Sequence, residues 1–222
     1  MRNGLVILAF LLAGQVHAQS KLSIGQYSYI KRGEPFYVSP IAQYQSSSNW
    51  YAEARYNYED LNTFSLYGGR TFSNEQALSY SITPMAGIMW GRLRGGSAGL
   101  NASLEYKKYY FSTQSQYSVS TQDLRESFFF SWSEAGYRPL DWLYTGVSLQ
   151  HTKPRHAGAL IEPGFFACFS YRQWSLPVYC FVPSREPCFF VVGITREWRY
   201  PQSGRSKTGK PPFPKRTKVS AY

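Results

Sequence analysis

The stretch ESFFFSWSEAGYRPLDWLYTGVSLQ, residues 126–150, decides the architecture. It reads as two strands joined by a four-residue turn, Arg138-Pro139-Leu140-Asp141. The first strand sets Phe128, Phe130 and Trp132 on one face and Phe129, Ser131, Ser133 and Ala135 on the other. The second sets Leu143, Thr145, Val147 and Leu149 opposite Trp142, Tyr144, Gly146, Ser148 and Gln150. Each strand is about as long as a tilted β-strand that crosses a bilayer. Each carries aromatic residues near its ends, where a membrane barrel wears its aromatic girdles.

The pattern repeats along the chain. Candidate strands are Leu22–Lys31, Phe36–Gln45, Trp50–Glu59, Thr63–Phe72, Leu78–Trp90, Gly96–Tyr106, Tyr109–Ser120, Glu126–Tyr137, Trp142–Gln150, Leu160–Tyr171, Trp174–Val182 and Cys188–Trp198. No helix-period segment competes, and short strands with regular turn signals belong to a barrel or a sandwich. The expected fold is all-β, an antiparallel transmembrane β-barrel of about 12 strands (10–12) with short turns. The last strand should close against the first. Pro40 and Pro84 fall inside strands and predict bulges or strand ends, because proline donates no ladder hydrogen bond.

Side assignment follows from the cost of charge in hydrocarbon, about 2–4 kcal/mol for Arg near the midplane. In Trp50–Glu59 one side carries Trp50, Ala52, Ala54, Tyr56 and Tyr58, and the other Tyr51, Glu53, Arg55, Asn57 and Glu59. Glu53, Arg55, Asn57, Glu105, Lys107 and Glu162 are therefore expected to line a polar lumen. Phe166 departs from the rule by falling on the polar side of its strand. A soluble sandwich with solvated outer faces is the competing reading, and the long strands and tight turns count against it.

Composition agrees. Aromatic residues make up 18% of the chain and charged residues 17%, against about a quarter charged in soluble domains. Residues 1–18 have the parts of a secretory signal: Arg2, an apolar run from Leu5 to Ala13, and Val16-His17-Ala18 as a cleavage site. Residues 19–198 would form the barrel and 199–222 a basic, disordered tail. Seven basic residues and no acid follow Trp198; removing these and Arg2 from the net charge of +11 leaves +3 for the body. Aromatic and basic residues are thus segregated, which speaks against nucleic acid as a partner. An even strand count puts both termini on one side, the periplasm. The external loops would then be 31–35, 60–62, 91–95, 121–125, 151–158 and 183–187.

The run YNYEDLNTFSLYGGRTF (Tyr56 to Phe72), the phrase RPLDWL after a Phe-rich strand, and FSYRQW (Phe169 to Trp174) resemble uncharacterised small outer-membrane β-barrel proteins of Bacteroidota. The likeness spans most of residues 22–198. It implies an address in the bacterial outer membrane, with its lipids and the barrel-assembly machinery as partners, and carries no assigned active site.

Chemistry is sparse. Gly91-Arg92-Leu93-Arg94-Gly95-Gly96 lacks the Lys-Ser/Thr ending of a phosphate loop. Cys180 and Cys188 flank one loop, so a disulfide is conceivable beside the plainer reading of Cys168, Cys180 and Cys188 as small hydrophobes. His151 and His156 are the only histidines of the mature chain, and an external-loop role suits His151 better than a hydrolase base. No cofactor or metal site is expected. The function that fits is a non-enzymatic outer-membrane barrel, a narrow pore for small solutes or ions or a lumen plugged by its own side chains. The alternatives are a surface lipid-modifying enzyme, lipase- or deacylase-like, and a structural barrel presenting its basic tail.

Overall fold

In the computed structural model, residues 19–184 and 187–200 are described. The strands are β1 (Ser20–Ile30), β2 (Tyr37–Gln45), β3 (Trp50–Tyr56), β4 (Thr63–Arg70), β5 (Phe72–Glu75), β6 (Leu78–Gly91) and β7 (Gly95–Tyr106). They continue with β8 (Tyr109–Ser120), β9 (Phe128–Leu140), β10 (Leu143–Pro154), β11 (Leu160–Tyr171), β12 (Trp174–Phe181) and β13 (Phe189–Tyr200). Apart from β4 and β5, consecutive strands pair antiparallel, and β1 closes the ring against β13 from Ser20↔Tyr200 to Ile30↔Phe190. β4 and β5 both pair with β6 and form one wall strand interrupted at Thr71, so the wall is a closed barrel of 12 strands.

The two prolines show how ladder chemistry sets the irregularities. Pro84 lies where β4 has ended at Gly69↔Met85 and β5 has not begun at Phe72↔Ile82, so its missing N–H faces a gap in the partner strand. Pro40 stays inside β2 without a break. The β2–β3 ladder stops at Ile41↔Arg55, one residue short of it, and the Ser39 hydroxyl donates to the Tyr56 carbonyl beyond that point (3.1 Å).

The outer face is apolar along the strands, with Leu66, Ile88, Leu100, Val147, Leu149 and Phe165 exposed. Aromatics cluster at the strand ends, as the Tyr109–Tyr137 and Phe64–Trp90 pairs show (ring centroids 5.2 and 4.5 Å apart). The inner face carries polar residues as expected, among them Gln43, Glu53, Arg55, Asn101, Gln114 and Gln116, and beside them a cluster of large rings. Glycines in the wall make room for these rings. A Cβ on Gly193 would come within 2.8 Å of the Tyr27 ring, and one on Gly136 within 2.6 Å of Tyr110.

Several local expectations change. The turn between β9 and β10 is Asp141-Trp142 alone, and Arg138, Pro139 and Leu140 belong to β9. A register shift at Leu143/Thr145 absorbs the ladder hydrogen bond that Pro139 cannot donate. His151 is a strand residue of β10, not a loop residue, and stacks edge-on against Phe129 (5.8 Å). Cys180 and Cys188 are not bridged: Cys180 stands opposite Phe190, and Cys188 precedes β13. β13 runs through Arg199 to Tyr200, two residues past the expected end of the barrel. The expected signal segment and residues 201–222 of the expected tail lie outside the described residues.

Candidate functional site

The lumen is where this chain departs most from a plain wall. Glu53 and Arg55 point inward from β3 and are essentially fully buried, each 1% exposed. The Arg55 guanidinium donates through Nε to Glu53 Oε1 (2.9 Å) and through Nη2 to Glu53 Oε2 (3.1 Å). Its Nη1 donates to Glu59 Oε1 (3.1 Å) and to Gln116 Oε1 (2.7 Å). The rings of Tyr58 and Tyr67 lie 4.6 and 4.5 Å from its central carbon. Both acids are satisfied in turn. Glu53 accepts from Tyr51 (2.7 Å) and Gln43 (3.1 Å), and Glu59 from Ser65 (2.6 Å) and Tyr67 (2.9 Å). A charge can stay in such a place only when its lone pairs and protons are paired this completely.

Gln116 sits on β8, four wall positions from β3, so the Arg55–Gln116 bond crosses the lumen. The β3–β4 connection folds inward to join it. Asn57 and Asn62 take left-handed backbone (φ 55° and 56°), which Asn tolerates better than most residues. Asn57 is locked there by its side chain, which donates to the Val38 carbonyl (3.0 Å) and accepts from the Asn62 N–H (2.7 Å). The reversal carries Tyr58 into the barrel, where its hydroxyl donates to Gln114 Oε1 (2.7 Å) and its ring meets Phe130 edge-on (5.9 Å).

A second set of contacts across the lumen is aromatic. Tyr27 of β1 reaches Trp132 of β9, five wall positions away, with ring centroids 5.7 Å apart. Trp132 packs on Tyr179 (4.9 Å) and Phe181 (5.9 Å), and its indole N–H donates to Ser148 (2.8 Å). Phe166, Tyr179, Phe181, Phe189 and Val191 are all buried in the same cluster. Phe166, which broke the polar pattern of its strand, thus belongs to this cluster. Glu134 is buried beside this cluster, within 3.4 Å of the Tyr110 hydroxyl.

The remaining expected lumen residues separate. Glu162 is buried inside near the β1–β2 end, 4.0 Å from Lys31. Glu105 lies toward the opposite end, half-buried, 3.7 Å from Arg138. Asn57 and Lys107 are corrected. Both have left-handed backbone in turns, so Asn57 serves the loop reversal, and Lys107 is exposed with its ammonium 5.2 Å from the Tyr106 ring. Strand alternation cannot be extrapolated past Tyr56, because the strand ends there. For the same reason it assigned Tyr58 to the outer face. The Asn and Asp residues of Asn57–Asn62 were the signal for that reversal. Among the described residues no group of His, Cys, Asp and Glu is arranged to hold a metal. The ladder neighbours of His151 are Ser131 and Ile161 on the outer face, and its ring packs against Phe129.

No protein-family model matches this sequence, and no curated protein matches it. Solved structures do match in fold. A KdgM porin in complex with disordered oligogalacturonate is 12% identical, with a TM-score of 0.60 over 78% of this chain and 98% of that one. The NanC porin is 10% identical, with a TM-score of 0.60 over the same shares. The fold is therefore that of a porin-like barrel. These likenesses agree with the outer-membrane half of the resemblance read from the sequence and lend nothing to a placement in Bacteroidota.

Proposed function

We propose that this chain is a small outer-membrane barrel whose lumen is closed at rest by its own side chains and passes only small solutes or ions when the closure yields. The observation that carries the reading is the buried Arg55–Gln116 bond across the lumen, with Arg55 held by Glu53 and Glu59. The membrane address rests on the apolar outer face with aromatic strand ends and on the porin-like fold. A 12-strand wall is wide enough for a narrow passage once its filling moves, since width grows with strand number.

The acidic sugar named with the KdgM structure does not carry over. A polyanion calls for an excess of fixed cations along its path. The inward face here balances Glu53, Glu59, Glu105, Glu134, Glu162 and Glu197 against Lys21, Lys31, Arg55, Arg138 and Arg199. Small neutral or singly charged solutes suit that balance.

Planar-bilayer recording tests the reading. Refolded wild-type protein is expected to show rare openings of small conductance. Arg55→Ala and Tyr58→Ala are expected to open more often. A large, steady conductance in the wild type, unchanged by both substitutions, would refute a lumen closed by these side chains.

A further inference from the structure

The outer wall carries one concavity that neither the lumen contacts nor the wall explains. A groove of about 500 Å³ is lined chiefly by Trp142, Phe169, Tyr171, Trp174, Leu176 and Ile194. It lies where β11 ends and β10 and β12 begin, against the middle of β13 and so beside the β1–β13 seam that holds both ends of the barrel. Its lining is almost purely apolar, but its rim is cationic. Arg196 stands beside Trp174 across the β12–β13 ladder and faces outward with it. Its guanidinium lies between two indoles, 5.2 Å from the Trp174 ring and 4.7 Å from Trp198. Arg196 Nε is buried and has no hydrogen-bond partner among the described residues. In the β11–β12 turn, two residues before Trp174, the Arg172 guanidinium sits 5.3 Å from the Tyr171 ring.

We infer that this groove is a binding site for one anionic phospholipid. The acyl chain would lie along Phe169, Leu176 and Ile194, and the phosphate would accept from Arg196 and Arg172. Charge complementarity selects this occupant. An outward guanidinium at the edge of the hydrocarbon, gripped by two rings, is held back from open water and needs an acceptor for its N–H groups. A phosphate oxygen is the acceptor that guanidinium geometry suits best. The inference rests on the membrane reading above. With the termini in the periplasm, this rim meets the phospholipid leaflet.

Native mass spectrometry of the full chain tests it, after refolding into vesicles and extraction in mild detergent. The probe is phosphatidylglycerol, titrated beside phosphatidylcholine and inorganic phosphate. Wild-type protein is expected to retain one phosphatidylglycerol at concentrations that strip other lipids. Arg196→Gln should weaken that binding about tenfold, the scale of one lost charged hydrogen bond. Leu176→Trp, which fills the groove, should abolish it while the heat-modifiable folded band persists. Equal retention by wild type and both variants overturns the site. Equal competition by inorganic phosphate overturns the lipid. A dimer that depends on the same residues identifies a second copy as the occupant instead. Protein that never inserts into vesicles refutes the membrane reading and this inference with it, whereas inserted protein lacking the retained lipid refutes this inference alone.

Discussion

Replacing Arg55 by Met tests whether the lumen is sealed. The side chain is fully buried and makes four hydrogen bonds, two to Glu53, one to Glu59 and one to Gln116. Removing one member of a buried ion pair costs about 3–5 kcal/mol, because the other charge is left uncompensated. In a water-filled channel the same pair would be screened and worth about 0–1 kcal/mol. At about 1.4 kcal/mol per tenfold, the sealed case lowers the folded-to-unfolded ratio by a factor of roughly 140 to 4,000. With a urea slope near 2 kcal/mol/M, the midpoint falls by about 2 M. The assay is a urea titration of the heat-modifiable band in lipid vesicles. Adding Glu53→Gln to Arg55→Met should recover much of the loss, since it removes one of the stranded charges. A single substitution that costs less than about 1 kcal/mol would mean the network is hydrated and the lumen open at this level.

Other expectations follow from the two faces of the wall. Leu100→Arg, on the outer face midway along β7, should cost about 2–4 kcal/mol in lipid, and Ser103→Arg, on the inner face nearer the strand end, markedly less; equal refolding losses would reverse the assigned faces. Gly136→Val should destabilise the barrel by about 1–3 kcal/mol through overpacking against Tyr110 and Phe166, read as a lower urea midpoint. Cys188 is exposed and should label with a water-soluble maleimide in the folded protein, whereas buried Cys168 should label only after denaturation; a mass spectrum showing the reverse order would contradict the packing of β11.

Much of the architecture is written into local alternation. The hairpin at residues 126–150, the inward direction of Glu53 and Arg55, and closure of the last strand on the first all follow from a side-chain period of two and the cost of charge in hydrocarbon. Alternation also fails where a strand stops, which is why Asn57, Tyr58 and Lys107 were misplaced. It says which residues share a face but not which residues meet across a closed ring. Arg55 and Gln116 are 61 residues apart, and nothing in either segment names the other. The Phe128, Phe130 and Trp132 face could be sorted from its neighbours by period alone, but its inward direction came from packing against Tyr27, Tyr179 and Phe181. A ring of strands brings residues distant in sequence within reach of one another only once it closes. The wall was therefore legible from the sequence, and the contents of the lumen were decided by the tertiary structure.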